Sequence, residues 1–294
     1  AKGNNIYNAG TFTMTGGRVG GKTIYTRVDE NNNESSTGNY ILFGKYPKTI
    51  KADGITINEN DIDDYGYYLG SDGERYAKIK AEPYQSSYVY SNGTTIVSGT
   101  EYYFKVEPIK WQILSESNGE AILLAEDVLT ANITFYTSES NRKVNGKTIY
   151  ANNYEYSTIR AWLNGYNGLG YSVADFSSFM AGDYQNNGFL NQAFTKTEQS
   201  LILKTTLDNS ASTTGDSSNK YVCNDTNDKV WLLSYKEALN ANYGFKTLAS
   251  NYDTAKRKKQ PTMQGQIMHF MAHGSIYIMA NGFFVLPILM VEIM

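Results

Sequence analysis

The 294-residue chain has a single cysteine, Cys223, and two histidines, neither of them before position 269. A lone cysteine excludes an internal disulfide and a cysteine-rich metal site. Without an upstream histidine, the first 268 residues hold no Ser-His or Cys-His pair for nucleophilic catalysis. Charge is sparse and balanced, with 26 Lys and Arg against 29 Asp and Glu and a net charge of -3. That leaves no basic field for nucleic acid or anionic lipid, so neither is expected as a partner. Near Ala1 there is no charged segment leading into an apolar run. The chain start therefore reads as a mature N-terminus after leader removal, or as the continuation of a longer protein. Proline is scarce too, at 5 residues.

What is abundant is tyrosine, 25 residues of it, set among Asn, Ser, Thr and Gly. Tyrosine with small polar neighbours gives amphipathic contact area at low entropic cost. Tyr65, Tyr67, Tyr68, Tyr84, Tyr88 and Tyr90 all fall in turn-rich stretches and are the candidate ligand-binding residues. The competing reading is half-buried packing of tyrosine on antiparallel strands. The length suits one large domain or two smaller ones, with enough chain to bury a core.

Period-two alternation around Phe12 and Met14, followed by Gly16-Gly17, predicts a short strand and a turn. The string G-T-F-T-M-T-G-G resembles one rung of the repeats that build β-helices in bacterial surface proteins. Residues 1–28 therefore read as a β-repeat remnant, with a plain hairpin as the alternative. Asp29 to Asn39 is polar and turn-rich, a linker candidate, and a domain is expected over 40–259. Within it, Trp111 to Leu114 and Ala121 to Ala125 flank Asn118-Gly119, a hairpin signal. Ser157 predicts an N-cap for a helix over Thr158 to Asn164, stopped by Gly165. Thr195 with Glu198, and Ser234 with Glu237, are capping boxes opening two more helices, and Val230 to Leu233 reads as a buried strand. Short helices mixed with mainly antiparallel strands define an α+β class.

Five segments in order, W-Q-I-L from Trp111, A-I-L-L-A-E-D-V-L from Ala121, S-T-I-R-A-W-L-N from Ser157, N-Q-A-F-T-K-T-E-Q-S-L-I-L-K-T-T from Asn191 and N-D-T-N-D-K-V-W-L-L-S from Asn224, resemble a bacterial domain family of unknown function. That family is common in surface and secreted proteins, so the resemblance implies an extracellular or cell-surface location. It spans residues 40 to 259 and implies a C-type-lectin-like fold, similar to formylglycine-generating enzymes. Those enzymes use a cysteine pair, which Cys223 alone cannot supply.

The family pattern breaks after Lys259. Six of the eight methionines and both histidines fall between Met263 and Met294, where Glu292 is the sole charge. Ile276 to Met294 approaches the length of a membrane span, yet Asn281, Gly282, Pro287 and Glu292 interrupt it and no Lys/Arg cluster flanks it. No membrane span is expected. Read one frame over, the tail codons allow A-T-D-Y-A-R-A-N-N-A-F-Y-G-T-W and then Y-N-G-K-W-F-F-R-S-P, which fit the family. The residues after Met263, Met268, Met271, Met279 and Met290 have no freedom in that reading and still agree. Residues 260–294 are therefore expected to be a frameshifted, non-native tail. The domain should then be incomplete at its C-terminus, with one strand edge unpaired.

His269 and His273 are spaced for a helical metal pair, but no acidic third ligand lies nearby, so no metal site is expected. Asp61-Ile62-Asp63-Asp64-Tyr65-Gly66 resembles the opening of a calcium loop, although Tyr65 and Asp72 stand where oxygen ligands and a bidentate Glu belong. Calcium is the one cofactor this spacing allows, against an ordinary acidic turn. Asn224 to Asp228 offers oxygens as well, or turn chemistry ahead of a strand. Glu126 with Asp127 or Glu155 is the carboxylate set for a glycoside hydrolase. No catalytic residue is assigned. The expected function is a non-enzymatic binding or adhesion module whose partner is a surface glycan or protein. A carbohydrate-active hydrolase and a structural domain of a surface array are the alternatives.

Overall fold

The computed structural model describes residues 16–19, 22–82, 89–90, 92–130, 133, 135, 141–144, 146–150, 153–166, 184–215, 218, 222–245, 260–261 and 289–293. The first half is all strand: β1 (Gly16–Val19), β2 (Lys22–Val28), β3 (Tyr40–Ile50), β4 (Ile57–Ile62), β5 (Tyr68–Gly70), β6 (Arg75–Lys80), β7 (Glu101–Ser117), β8 (Glu120–Ala125), β9 (Asp127–Val128), β10 (Arg142–Val144) and β11 (Lys147–Ile149). Among the described residues there follow the helices α1 (Thr158–Asn164), α2 (Tyr184–Asn187), α3 (Phe189–Ala193) and α4 (Lys196–Leu201). The chain then runs through β12 (Thr205–Leu207), α5 (Ala211–Thr214), β13 (Thr226–Asp228), β14 (Val230–Leu232) and α6 (Tyr235–Ala238). Two late strands, β15 (Gln260–Pro261) and β16 (Leu289–Ile293), complete the set. This is a mixed α+β fold built on a curled antiparallel sheet with short helices.

The main sheet has ten strands, and β7 is its axis. Its 17 residues pair with β3 along one edge, while the other edge is shared, the start with β6 and the end with β8. Asn118 and Gly119, both at positive φ (55° and 83°), form the two-residue turn that fixes the β7–β8 register, as the Asn-Gly pair predicts. Beyond β8 the sheet continues through β16 to β14.

Three expectations are corrected here. Gly16-Gly17, expected as a turn, opens β1, which pairs with β2 from Gly16–Thr26 to Val19–Lys22. The segment 29–39, expected as a linker, connects neighbouring strands of one sheet, since β2 pairs with β3 from Tyr25–Phe43 to Val28–Tyr40. Tyr25 and Val28 are buried, so β2 contributes to the same apolar interior as the strands after it. The third concerns the edge expected to stay unpaired. β16 fills it, pairing Met290 to Ile293 with Leu124 to Ala121 of β8, and Leu289 to Val291 with Leu232 to Val230 of β14. Val291 and Ile293 are fully buried, which is what alternation in a strand with one face on the core requires. Phe12, Met14, His269 and His273 lie outside the described residues.

The core lies between the concave face of the sheet and the helices α1 and α3. Trp111 is wholly buried there and donates its indole N–H to the Phe43 carbonyl at 2.8 Å, so its polar handle is satisfied. Phe194 packs on both Phe43 and Trp111, with centroids 5.0 and 6.2 Å away. This close approach depends on Gly44, where β3 bulges: φ is +69°, and a Cβ would lie 2.5 Å from the Phe194 ring.

Candidate functional site

Helix α1 forms as its caps dictate. Ser157 Oγ accepts the Arg160 N–H at 3.2 Å, and Gly165 closes the helix in the left-handed region at φ 65°. All seven of its residues are buried, Arg160 and Asn164 included. A guanidinium in such a place needs a counterion and hydrogen-bond acceptors.

Asp228, at the end of β13, supplies the charge. Its two carboxylate oxygens accept from Arg160 Nε at 2.9 and 2.8 Å, and its side chain is 0% exposed. Arg160 Nη1 donates to the Glu155 carbonyl at 2.9 Å, and the guanidinium stands 5.5 Å from the centre of the Tyr166 ring. Tyr166 Oη contacts Asp228 Oδ1 at 3.1 Å and the Asn227 carbonyl at 3.2 Å. Burial, and then the Asp228 charge, push that phenol up to about 12.

One helical turn on, Asn164 completes the clamp. Its Oδ1 accepts the N–H groups of Lys229 and Val230 at 2.8 and 3.1 Å, and its Nδ2 donates to the carbonyls of Arg160 and Val230 at 3.1 and 2.9 Å. Positions i and i+4 share a helix face, which is why the R-A-W-L-N segment meets the D-K-V segment on one line.

Beside the clamp opens a cleft of about 360 Å³ lined by Glu155, Arg160, Tyr166, Lys204, Asp225, Thr226 and Asn227. Its wall is shaped by the β12–β13 hairpin, paired from Thr205–Asp228 to Leu207–Thr226 and tied by Thr206 Oγ1 donating to Asn227 Oδ1 at 2.7 Å. Glu155 is held by Asn224, whose backbone N–H and amide lie 3.0 to 3.2 Å from its carboxylate oxygens. Among the described residues Asp225 takes a 3.4 Å contact from the Asn209 N–H. Lys204 is exposed, and among the described residues no acceptor or counterion holds its ammonium. Lys229 nearby is pulled below the usual lysine range by burial and then by the Lys204 and Lys196 charges, and its Nζ donates to the Gln199 carbonyl. Cys223 is no nucleophile at neutral pH, because burial pushes its thiol up to about 11.

Of the six tyrosines expected as ligand-binding residues, four are described, and each is placed by its own contacts. Tyr65 is 43% exposed, but it stacks on Tyr67, which is buried and directs its hydroxyl to the Gln192 carbonyl at 3.4 Å. Tyr68 is half-buried, edge-on to Tyr103. Tyr90 is 1% exposed, packed against Tyr102 and Phe104. Tyr84 and Tyr88 lie outside the described residues. Packing in the sheet thus accounts for Tyr67 and Tyr90.

The Asp61–Gly66 loop is an Asx turn. Asp63 Oδ1 accepts the N–H groups of Tyr65 and Tyr67 at 2.9 Å each, and Arg75 lies 2.8 Å from Asp61 and 3.8 Å from Asp63. A guanidinium occupies the position a cation would take. Among the described residues no three of His, Cys, Asp and Glu converge. Of the carboxylates considered for hydrolysis, Asp127 pairs with Lys48 at 2.8 Å, and Glu155 lines the cleft.

Arg160, Tyr166 and Lys204 were not singled out from sequence, whereas Asp225 lies in the Asn224 to Asp228 stretch read as oxygen ligands or turn chemistry. The available signal was charge in an apolar setting: Arg160 inside I-R-A-W-L and Asp228 just before V-W-L-L each require a partner, and each is the other's.

The chain thus combines a curled antiparallel sheet, short helices packed against it and a polar cleft beside a buried ion pair. The chain belongs to the family described as "Domain of unknown function (DUF6273)", whose model matches residues 118–269. The matched segment begins at the β7–β8 turn, well after the start expected at residue 40. It contains the whole clamp. Comparison with curated proteins and with solved structures finds no match. No helix among the described residues is long and apolar enough to cross a membrane.

Proposed function

We propose that this chain is a non-enzymatic binding or adhesion module of a bacterial cell-surface or secreted protein, with a carbohydrate or a protein as its ligand. The observation that carries the reading is the cleft. Its polar side chains project from elements locked by the Arg160–Asp228 pair and the Asn164 clamp, so the backbone that carries them is held before any ligand arrives. A C-type-lectin-like arrangement belongs to the same reading and is supported by the antiparallel sheet with short helices on one side. The test is binding of the purified chain to a glycan array and a panel of host-matrix proteins. Signal above background on either supports a binding module, and none on both rejects it.

Two carboxylates, Glu155 and Asp225, line the same cleft, which favours a carbohydrate-active hydrolase as the second reading. Turnover of a glycoside that is lost in both Glu155→Gln and Asp225→Asn would establish it. A structural role in a surface array is the third, and it predicts no ligand at all. The out-of-frame origin of residues 260–294 is also a proposal. The nucleotide sequence around the codons for Lys258 to Met263 in independent isolates tests it, and an unshifted frame leading to Met294 would reject it.

A further inference from the structure

The cleft's chemistry narrows the ligand. Its volume, about 360 Å³, lies at the small end for small-molecule sites, and it is open to solvent. Protein-binding surfaces centre on aromatic and apolar anchors with charge at the rim. Among the described lining residues that pattern is inverted: four charged side chains, a hydroxyl and an amide accompany one aromatic ring, Tyr166.

Charge excludes a second class. Arg160 is neutralised by Asp228, which among the described lining residues leaves Lys204 as the cation facing two carboxylates, Glu155 and Asp225. A sulfated or otherwise polyanionic ligand would meet two negative groups for one positive. What remains suits an uncharged molecule rich in hydroxyls, which donates to carboxylates and accepts from an ammonium and an amide. Sugar rings also offer C–H faces that pack on an aromatic ring.

We propose that the cleft between α1 and the β12–β13 hairpin is a saccharide site, in which a neutral sugar unit donates hydroxyls to Asp225 and Glu155, accepts from Lys204 and Asn227, and packs against Tyr166. The proposal rests on the binding reading above and names its ligand class. Glu155 is pre-oriented by Asn224, and Asn227 by Thr206, so little side-chain freedom is lost there on binding. Asp225 and Lys204 carry no structural partner of comparable strength among the described residues, and they are the groups most open to a ligand.

The test uses the full chain. Methyl glycosides of glucose, mannose and galactose, and N-acetylglucosamine, are titrated by calorimetry and saturation-transfer NMR beside N-acetylneuraminic acid and a heparin disaccharide. A neutral sugar should bind, and Asp225→Ala and Lys204→Ala should each weaken it about tenfold. Glu101→Ala, at the start of β7, should leave it unchanged. Both cleft residues are exposed, so the variants should keep the wild-type near-UV spectrum. Preference for the acidic probes overturns the ligand class. Neutral-sugar binding indifferent to both substitutions overturns the site while the binding reading stands. Capture of a matrix protein with no sugar bound overturns the saccharide alone, silence from every probe overturns both, and hydrolysis of the bound glycoside overturns the non-enzymatic reading.

Discussion

Breaking the Arg160–Asp228 pair should be the most damaging single change in the described part of the protein. Asp228 is wholly buried, and the Arg160 side chain is 9% exposed, with both carboxylate oxygens within 2.9 Å of Nε. Desolvating each ion costs several kcal/mol, and only the partner charge and the hydrogen bonds offset it. Asp228→Ala removes the carboxylate that Arg160 Nε is bonded to and takes an acceptor from Tyr166 Oη. The expected loss is about 3–5 kcal/mol, a large share of the 5–15 kcal/mol of a typical domain. In a chain this size that corresponds to a fall in Tm of about 6–20 °C. Arg160→Met should cost a similar amount, because it leaves a buried carboxylate. The double variant Arg160→Met/Asp228→Leu should cost far less than the two losses added, since no orphan charge remains. Urea and thermal unfolding of all four proteins measure this. Single variants that melt within about 2 °C of the parent, or fully additive losses, would refute the claim that the two charges depend on each other.

Asn164→Leu should destabilise by about 2–4 kcal/mol, because the buried Val230 N–H and carbonyl lose their partner, and urea titration reads this directly. Ile293→Ala should cost about 2–5 kcal/mol if β16 sits in the core as described, whereas an unchanged melt would mean the strand contributes nothing. Gly44→Ala should cost more than 1 kcal/mol by thermal unfolding, from the positive φ and the contact with Phe194 together. Asp208 is held at about 2, first by the Thr213 hydroxyl and then by the Ser210 side chain and N–H, against 3.8 unperturbed. A depressed carboxylate stabilises the fold above its unfolded value and loses that contribution as pH falls from about 4 to about 2. Carboxyl NMR titration should show Asp208 moving back up in Thr213→Val, and an unmoved midpoint would remove the hydroxyl as the cause.

Local chemistry was legible where a few adjacent residues decide the outcome. Ser157 and Gly165 bound α1 at its observed ends, and both capping boxes form, Thr195 with Glu198 and Ser234 with Glu237. Asn118-Gly119 made the β7–β8 hairpin readable for the same reason, since both residues must take positive φ. Pairings between distant segments were not legible. Nothing in Lys22–Val28 announces that it will lie along β3, and polar residues 29–39 serve a hairpin loop as well as a linker. The apolar alternation in Leu289–Ile293 was overshadowed by the composition break around it. The cleft was hidden by the same kind of distance, because Arg160 and Asp228 meet across 68 positions of chain. Tyrosine counts are silent in another way: composition cannot distinguish Tyr65, which reaches solvent, from Tyr90, which is sealed in.

The place of β16 has a consequence for the order in which the molecule can be made. Its two neighbours, β8 and β14, are synthesised long before it, and roughly sixty residues separate the end of β14 from the start of β16. At ordinary translation speeds of about 5–20 residues per second, the nascent chain waits some 3–12 s with both flanking edges made and nothing between them. During that interval Leu123, Leu124, Val230 and Trp231, all buried in the finished protein, have an open slot beside them. Unpaired edges with apolar flanks are where strands from other chains add. The hazard for this protein therefore lies in its synthesis, and a chaperone or a slow local folding step has its greatest effect between residues 232 and 289.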